Sequence, residues 1–401
     1  MASPADPSRS LWRKLPPGIW ALGLVSMLMD ISSEMIHALL PVYLTVGLGA
    51  STLAVGVIEG IAEATAAITK VFSGALSDRL GQRKRLAALG YGLAALTKPV
   101  FPLAPTIGWL VGARFIDRVG KGIRGAPRDA LIADITPPDM RGAAFGLRQS
   151  LDTFGAFLGP LLAIALMWLF ADNFRHVFWV ATIPAFAALA LILFAVHEPV
   201  QPARRAVRNP LSRAELAQLG ALYWGLVATA ALMSLARFSE AFLILRAQSG
   251  GLPVMWVPLV LVAMNLVYAL SAYPMGVLSD RLSRAAILGA GMALLIAADL
   301  ALALIPGLAG AGLGVALWGL HMGFTQGLLS AIVADAVPAE LRGTAFGMMN
   351  LITGLALLAA SVIAGALWQY IGPQGTFLAG AGFAALTVLA LLPLSRRLPK
   401  R

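Results

Sequence analysis

Residues 74–84 read GALSDRLGQRK, and residues 276–286 read GVLSDRLSRAA. A second pair of matching stretches follows, with IADITPPDMRGAAFG at 132–146 and VADAVPAELRGTAFG at 333–347. In both pairs, about half of the 401-residue chain separates the two copies. Because self-similarity at a fixed spacing marks a repeated structural unit, the sequence predicts a fold built from two similar halves.

The composition excludes a water-facing globule. The chain is 59% hydrophobic and only 12% charged, with a mean hydropathy of +0.82, whereas soluble domains are about a quarter charged. It contains no cysteine and four scattered histidines, so we expect no disulfide, no metal site and no cofactor. These values predict a polytopic membrane protein.

About 20 mostly apolar residues are needed to cross a bilayer as a helix, and twelve such spans are predicted, six in each half. The predicted fold is therefore all-α, with twelve transmembrane helices in two six-helix bundles. Because six spans return the chain to its starting side, the two bundles are parallel repeats. The predicted divisions are a cytoplasmic tail at 1–17, a first bundle at 18–196, a cytoplasmic linker at 197–216, a second bundle at 217–394 and a cytoplasmic tail at 395–401.

Basic residues concentrate in the loops on one side of the predicted membrane. The alternate loops carry only Arg175 and Arg246. Because cytoplasmic loops hold the excess of Lys and Arg, both termini and the linker are expected in the cytoplasm, with the protein in the plasma membrane. The net charge of +11 is then a signal of topology, and no nucleic-acid partner is expected.

The stretch after the second span, GALSDRLGQRKR, resembles the most specific signature of the major facilitator superfamily, a loop that acts as a gate latch in that family. The resemblance covers nearly the whole chain and implies the family's fold. It marks eight gate-loop residues: Gly74, Asp78, Arg79, Gly81, Arg83, Lys84, Asp280 and Arg281. We expect Arg79, Arg83 and Lys84 at the anionic lipid surface. The alternative is a short basic loop that only fixes orientation. The second copy has Ser283 in place of Gly81.

The fifth span carries four residues similar to the family's antiporter motif, which occurs mostly in exporters: Gly146, Gly155, Gly159 and Pro160. Glycines four residues apart allow two helices to touch, and proline bends a helix. The closing glycine pair of the motif is replaced by Ala163 and Ile164. The alternative is a packing face with no bearing on direction.

Ionisable residues within the spans are the main functional candidates, because each costs at least a few kcal/mol in the membrane. In the fourth span, six of them fall within about 120° of the helix circumference: Arg114, Asp117, Arg118, Lys121, Arg124 and Arg128. This stripe is expected to line a cavity or a seam between helices, facing acids of the first, second and fifth spans. In the family, an Arg at the position of Arg114 takes part in proton coupling, and Gln then Gly often follow where Asp117 and Arg118 stand.

The sequence therefore assigns proton coupling to ten residues: Asp30, Glu34, Glu59, Glu63, Arg114, Asp117, Arg118, Lys121, Arg148 and Asp152. Asp30, Glu34 and Glu63 are the preferred proton carriers, with Arg114 as the modulating charge. The alternative is a static lattice of ion pairs. In the second half, polar groups among aromatic and Met side chains suit an amphiphilic substrate. Nine residues there are the substrate candidates, with packing as their alternative role: Arg237, Glu240, Asn265, Tyr268, Trp318, His321, Met322, Gln326 and Asn350.

These features predict a proton-coupled secondary transporter that exports a small amphiphilic compound by alternating access. Its expected partners are the substrate, the coupling proton and the lipid bilayer, and a monomer suffices; sodium stays open as the coupling ion. A second hypothesis is uptake or exchange of an organic anion (a phosphate, carboxylate or chelate), because Arg114, Arg118 and Lys121 could bind one. A third is a non-transporting receptor or scaffold. The sequence has no catalytic or nucleotide-binding motif, so no enzyme is expected.

Overall fold

The computed structural model describes residues 15–80, 82–137, 140–198, 216, 218–279, 283–325, 332–333, 337 and 342–395. Within these ranges, the side chains of 74, 75, 78–80, 141–143, 273, 276–279, 284 and 342–344 lie outside the description. The regular elements in the described part of the chain are helices, and one long helix or pair of helices corresponds to each predicted span.

The helices are numbered here in chain order. They are α1 (Pro17–His37), α2 (Thr52–Leu80), α3 (Arg83–Thr97), α4 (Ile107–Ile135), α5 (Arg141–Leu169), α6 (Phe174–Ala195), α7 (Ala221–Ala236 and Ala241–Ser249), α8 (Leu259–Ser279), α9 (Arg284–Leu304), α10 (Gly307–Thr325), α11 (Arg342–Tyr370) and α12 (Pro373–Ser395). Short helical pieces continue α1 at Leu40–Val42 and Tyr43–Gly47, continue α3 at Val100–Leu103, and precede α8 at Val254–Trp256.

Eleven helical segments of the described chain are long and apolar enough to cross a membrane, and α4 is not among them. The charged stripe lowers the hydropathy of α4, although its 29 residues exceed the length of a bilayer crossing. Most of the stripe points inward: Arg114, Asp117, Arg118 and Arg124 are buried, whereas Lys121 is exposed, as are Phe115 and Ile116 at 46% and 44%. An apolar outer face and a charged inner face allow α4 to lie in the membrane with the other eleven.

The chain forms two compact units, one of Met1–His37 with Thr69–Val207 and one of Ala38–Ile68 with Arg208–Arg401. Residues 38–68 therefore pack with the second part of the chain, so the contact units differ from the two sequence halves. The helix α2 contributes to both units. The predicted boundaries of the tails, the linker and the six-helix bundles stay predictions.

In the first unit, α1 packs against α5 and α6, and α3 packs against α4. Glycines allow the closest crossings. A Cβ added to Gly90 of α3 would lie 2.6 Å from the carbonyl oxygen of Gly120 in α4. A Cβ added to Gly155 of α5 would lie 2.5 Å from the carbonyl oxygen of Met27 in α1. These crossings bring the backbones of α3, α4, α1 and α5 close enough for their inward-facing ionised side chains to meet.

In the second unit, α9 packs against α10 and α12, and α10 packs against α8. The first half of α2 packs on α11 through small residues: a Cβ added to Gly56 would meet the carbonyl oxygen of Ser361, and one added to Gly365 would lie 2.7 Å from the carbonyl oxygen of Thr52. The Thr52 hydroxyl also donates to the Gly365 carbonyl oxygen at 3.4 Å. This seam follows the small-residue spacing typical of close helix contacts in membranes.

The sequence predicts one continuous helix for the seventh span, over 217–246. The structure has two helices there instead. The span breaks at 237–240, between Ala236 and Ala241. Side chains satisfy the backbone there, because the amide of Ser239 donates to the Ser361 hydroxyl at 3.3 Å and the amide of Ala241 donates to the Ser239 hydroxyl at 3.2 Å. A broken helix is tolerated at membrane depth only where protein or a cavity meets its freed backbone groups.

Candidate functional site

The most deeply buried ion pair joins α4 to the end of α3. The Lys98 ammonium donates to Asp117 Oδ1 at 3.0 Å and to the Ser33 hydroxyl at 3.1 Å. The side chains of Lys98 and Asp117 are 2% and 4% exposed. Asp117 also has Arg118 as a neighbour, with 3.7 Å between Arg118 Nε and Asp117 Oδ2. We call Ser33, Lys98, Asp117 and Arg118 the Asp117 cluster.

The Asp117 cluster explains a departure from the family pattern. An acid at position 117 would be isolated in a span where the family often has Gln, but Lys98 neutralises it from the neighbouring helix. Sequence reasoning counted Lys98 among the intramembrane bases and assigned it no role. The available signal was a lysine directly before Pro99, after the apolar stretch that follows the three basic residues at the start of α3.

A second group of charged side chains lies where a later residue of α4 meets α5. Arg148 Nη1 lies 3.3 Å from Asp152 Oδ2, and Arg128 Nη1 lies 3.9 Å from Asp152 Oδ1. The Asp30 carboxyl of α1 faces the Asp152 carboxyl, with Lys121 nearby. We call Asp30, Arg128, Arg148 and Asp152 the Asp152 cluster; it brings two carboxyl groups together among bases.

Two neutral side chains support the bases of α4 beside this cluster. Arg128 Nη1 donates to the Ser26 hydroxyl at 2.8 Å. The Arg124 guanidinium lies over the Tyr91 ring, 5.0 Å from its centroid, which is within the range of a cation–π interaction. The hydroxyls of Ser26 and Tyr91 are 3.4 Å apart. Sequence reasoning missed Ser26, Ser33 and Tyr91, because neutral residues in apolar spans give no signal of their own.

The antiporter-like motif of α5 packs directly beside an acid of α1. A Cβ added to Gly159 would lie 2.8 Å from the Glu34 Cβ, so only glycine permits this contact. Glu34 Oε2 lies 3.3 Å from Nδ1 of His37, one helical turn on, and Lys121 and Arg118 are its nearest cations on α4. Gly155 and Gly159 therefore set the position of α1, whereas a Cβ at Gly146 would meet nothing within 4 Å.

The remaining proton-coupling candidates are placed as follows. Arg114 is 2% exposed within the first unit. Lys121 is exposed and lies near Asp30 and Glu34. Glu59 and Glu63 lie in the stretch of α2 that belongs to the second unit, with Glu59 1% exposed. The ion pairs given above for the first unit therefore do not include Glu59 and Glu63. The coupling role of all ten residues stays a prediction.

Part of the gate loop lies outside the described residues, namely Gly81, Asp280 and Arg281 and the side chains of Gly74, Asp78 and Arg79. Arg83 is described, and its guanidinium pairs with an acid of α4, whereas its expected place at the lipid surface stays a prediction. Its Nη1 lies 2.6 Å from Asp134 Oδ2 of α4, and the two side chains are 9% and 12% exposed. Such a charge-assisted contact between a guanidinium and a carboxylate is short and directed, so it fixes the start of α3 against α4.

The start of α3 is held by a second acid that sequence reasoning missed. Glu198, just after α6, accepts hydrogen bonds from the backbone amides of Arg83 at 2.7 Å and Lys84 at 3.1 Å. A carboxylate at a helix N-terminus satisfies free amides and complements the helix dipole. The Lys84 ammonium donates to the Leu193 carbonyl oxygen at 2.7 Å. Through Arg83 and Lys84, the start of α3 is thus bonded to α4 and to the end of α6. In the second copy, Ser283 caps α9 by accepting from the Ala286 amide at 3.2 Å.

The substrate candidates lie in the second unit, apart from Gln326, which is outside the described residues. Trp318 and His321 are 1% and 0% exposed, and Met322 is 7% exposed. His321 Nδ1 lies 2.7 Å from the Gly291 carbonyl oxygen. Since a carbonyl only accepts, Nδ1 carries the hydrogen and Nε2 is an acceptor. The other five candidates are partly exposed: Arg237, Glu240, Asn265, Tyr268 and Asn350.

Aromatic rings surround the break in α7. The Phe238 ring centroid lies 5.5 Å from that of Trp318, 5.6 Å from that of Phe377 and 5.7 Å from that of Phe242. Trp368 contacts both Phe242 and Phe377. Sequence reasoning named only Trp318 of these five, because the others come together from α7, α11 and α12 at distant sequence positions. We call the five rings the aromatic cluster.

The geometry offers no metal centre in the described part of the chain, where no group of three or more His, Cys, Asp or Glu residues could hold an ion. The arrangement that remains is an ion-pair network in the first unit and an aromatic, polar-tipped region in the second.

Comparison with known proteins gives the family of the chain. The family model described as Major Facilitator Superfamily matches residues 22–358 and 251–401. An uncharacterized MFS-type transporter of Methanocaldococcus jannaschii is 32% identical over 388 residues, covering 95% of each chain. Multidrug resistance protein MdtH of Photorhabdus laumondii subsp. laumondii is 29% identical over 160 residues, covering 38% of this chain and 37% of its own.

The fold has a solved counterpart in the nucleoside transporter NupG. Its crystal structure matches with a TM-score of 0.76 at 14% identity, covering 94% of this chain and 98% of that one. At this identity the likeness concerns the fold alone. The matched family model, the full-length relative and the twelve-helix fold agree, and the chain belongs to the Major Facilitator Superfamily of membrane transporters.

Proposed function

We propose that this transporter is driven by a proton gradient and exports a small amphiphilic compound by alternating access. The observation that carries the proposal is the contact between the Asp30 and Asp152 carboxyls, beside Arg128 and Arg148. Two ionised carboxylates in contact repel each other, so such a pair is stable when it holds one proton. Losing or gaining that proton changes the charge at the α1–α5 contact by one unit.

The surroundings of the pair support a link between protonation and helix movement. At Gly155 and Gly159, which have no side chains, the backbone of α5 approaches α1 closely. Glu34 and Asp30 lie one helical turn apart on α1, and Lys121 is close to both. A proton that leaves Asp30 strengthens its attraction to Lys121, and a proton that arrives weakens it. Each protonation state therefore favours a different arrangement of α1 against α4 and α5.

Export of an amphiphilic compound is the favoured direction and substrate class for two reasons. The motif formed by Gly155, Gly159 and Pro160 resembles one found mostly in exporters of the family, and the partial relative from Photorhabdus laumondii is called a multidrug resistance protein. The aromatic cluster, with Trp318 and Met322 beside the polar His321, gathers buried apolar groups and hydrogen-bonding tips, the composition that suits an amphiphilic compound. We place substrate contact in this region of the second unit.

Flux in proteoliposomes tests the proposal. The purified full-length protein is reconstituted, the membrane potential is clamped at zero, and a pH gradient is imposed with ethidium as the amphiphilic probe. We expect ethidium to accumulate on the acidic side, and we expect Asp152→Asn to abolish accumulation. Accumulation that needs a sodium gradient instead would replace the proton by sodium. No ethidium movement under either gradient would contradict the proposal and favour a receptor or scaffold.

Glu34→Gln sharpens the same assay. If Glu34 carries a coupling proton, this variant loses gradient-driven accumulation but still exchanges labelled for unlabelled ethidium, because substrate contacts are left intact. Asp172→Asn, at an exposed turn between α5 and α6, is the matched control and should behave like the unaltered protein. Unaltered accumulation in Glu34→Gln would remove Glu34 from the mechanism.

The organic-anion alternative rests on the bases of α4. Arg118 is already neighboured by Asp117 at 3.7 Å, so Lys121, which is exposed, is the base best placed to meet an anion. Carboxyfluorescein as the probe separates the alternatives: the anion hypothesis predicts carboxyfluorescein flux that falls in Lys121→Ala, and the export proposal predicts ethidium flux.

A further inference from the structure

Asp299 of α9 is a fully buried carboxyl group that the proposed coupling network does not use. It is 0% exposed. Neither of its carboxyl oxygens has a hydrogen-bond partner among the described residues. Since buried polar groups are nearly always hydrogen-bonded, and leaving one unsatisfied destabilises the fold, a group of this kind calls for an explanation.

The surroundings of Asp299 are apolar. A Cβ added to Gly380 of α12 would lie 2.5 Å from Asp299 Oδ2 and 2.9 Å from Cε1 of Phe238. Phe238 is the centre of the aromatic cluster, in contact with Trp318 and Phe377. The carboxyl group thus occupies space left by a missing side chain on α12, and the Phe238 ring at the break in α7 borders the same space.

No described cation balances the group. The helices that pack against α9 are mainly α10 and α12. Within Pro373–Ser395, α12 has no ionisable residue, and within Gly307–Thr325, α10 has only His321, which is bonded to the Gly291 carbonyl oxygen.

The bases of α7 are engaged elsewhere. Arg246 donates to the carbonyl oxygens of Leu302 and Ile305, at 2.8 and 2.9 Å. Arg237 has Glu240, Tyr268 and His321 as its charged or titratable neighbours. An ionised Asp299 would therefore be an isolated charge among rings and backbone, which is far more costly than a neutral carboxylic acid at the same place.

We propose that Asp299 is a second proton-binding site, in the second unit, and that its proton is exchanged with water once per transport cycle. The inference rests on the proposed proton coupling and adds to it a stoichiometry of two protons, one at the Asp152 cluster and one at Asp299. The break at 237–240 borders the group through Phe238, so movement of the broken helix is the event that admits water. The carboxyl O–H bond then breaks, the proton passes to water, and a carboxylate is left until it is reprotonated.

Infrared spectroscopy tests the site without any substrate. The full-length protein at neutral pH should show the carbonyl band of a protonated carboxylic acid, and Asp299→Asn should remove a component of that band. Asp172→Asn, an exposed control, should leave it unchanged. A band identical in the Asp299→Asn variant and the unaltered protein would overturn the proposal, because Asp299 would then be ionised.

Gradient-driven transport tests the exchange of the proton. With the membrane potential clamped at zero and a gradient of one pH unit, two coupled protons accumulate ethidium about 100-fold and one proton about tenfold, because each proton contributes a factor of ten. Asp299→Asn should lower the ratio about tenfold and leave ethidium exchange intact. An unchanged ratio would overturn the proposal. Absence of accumulation in the unaltered protein would instead contradict the proposed function, while the infrared band would still report on the proton at Asp299.

Discussion

The two compact units hold their helices together by different kinds of contact. In the first unit, charged side chains from neighbouring helices meet each other, as in the Lys98–Asp117 and Arg128–Asp152 pairs. In the second unit, single side chains bond to the backbone of a neighbouring helix, as Tyr223 does to the Ala345 carbonyl oxygen at 2.8 Å. The two units thus differ in the contacts that their described residues make between helices, with ion pairs prominent in the first and hydrogen bonds from side chains to backbone in the second.

The difference favours separate roles for the two units, with proton response in the first and substrate contact in the second. A network of ionised groups responds to the arrival of a proton, because each proton changes several pair interactions at once. An interior of rings and satisfied backbone groups keeps its shape over a wide pH range and presents apolar surface to a substrate. Asp299 is a buried ionisable group of the second unit with no hydrogen-bond partner for either carboxyl oxygen among the described residues, which is why its removal is informative. The predictions below test the contrast, beginning with the largest expected effect.

Lys98→Ala should be strongly destabilising, by about 3–5 kcal/mol, because it removes the ammonium 3.0 Å from the buried Asp117 carboxylate and leaves the longer 3.7 Å contact with Arg118. The melting temperature in detergent should fall, and Asp117→Asn in the same chain should recover most of the loss, since it removes the isolated charge. Lys70→Ala, at an exposed position of α2, is the control and should change little. If Lys98→Ala melts like Lys70→Ala, the first unit does not depend on its ion pairs.

Gly159→Ala should cost about 1–3 kcal/mol by overpacking the α1–α5 contact, because the new Cβ would lie 2.8 Å from the Glu34 Cβ and 2.9 Å from the Ile31 carbonyl oxygen. Transport should fall with it, since α1 is displaced where it carries Glu34. Gly146→Ala belongs to the same motif but meets nothing within 4 Å, so it should be neutral or slightly stabilising through helix propensity. Equal melting temperatures for the two variants would contradict the packing described here.

Tyr223→Phe should cost about 1 kcal/mol, the net value of one neutral hydrogen bond, by removing the donor to the Ala345 carbonyl oxygen. The loss should be the same at low and high salt, because neither group is charged. The Lys98→Ala loss comes from an unpaired charge and should differ from it in size. A loss for Tyr223→Phe as large as that for Lys98→Ala would remove the contrast between the units.

Much of the fold can be predicted from the sequence, because membrane-spanning helices are recognised by their length and hydropathy. All twelve predicted spans have a helix. The break in α7 was missed, since hydropathy is insensitive to backbone continuity and Ser239 is satisfied by Ser361, which lies 122 residues away. The inward face of the α4 stripe followed from the cost of exposing charge to lipid.

The partners of that stripe were harder to predict. Lys98 belongs to α3, and periodicity within α4 carries no information on which neighbour faces Asp117. Arg83 was assigned to the lipid surface because a basic loop is the usual anchor, and the Asp134 carboxylate that captures it lies 51 residues further on. Helix periodicity gives the direction of a side chain, whereas pairing requires the arrangement of whole helices.

Residues 38–68 lie in the first half of the sequence and pack in the second unit, through Gly56 against Ser361 and Gly365 against Thr52. A chain severed at the linker would therefore leave its amino-terminal piece with an uncovered strip of small residues on α2, and its carboxy-terminal piece with the matching strip on α11. Two such fragments, produced from separate genes in one cell, should find each other through these strips and copurify. Leucine at position 56 should prevent the reassembly.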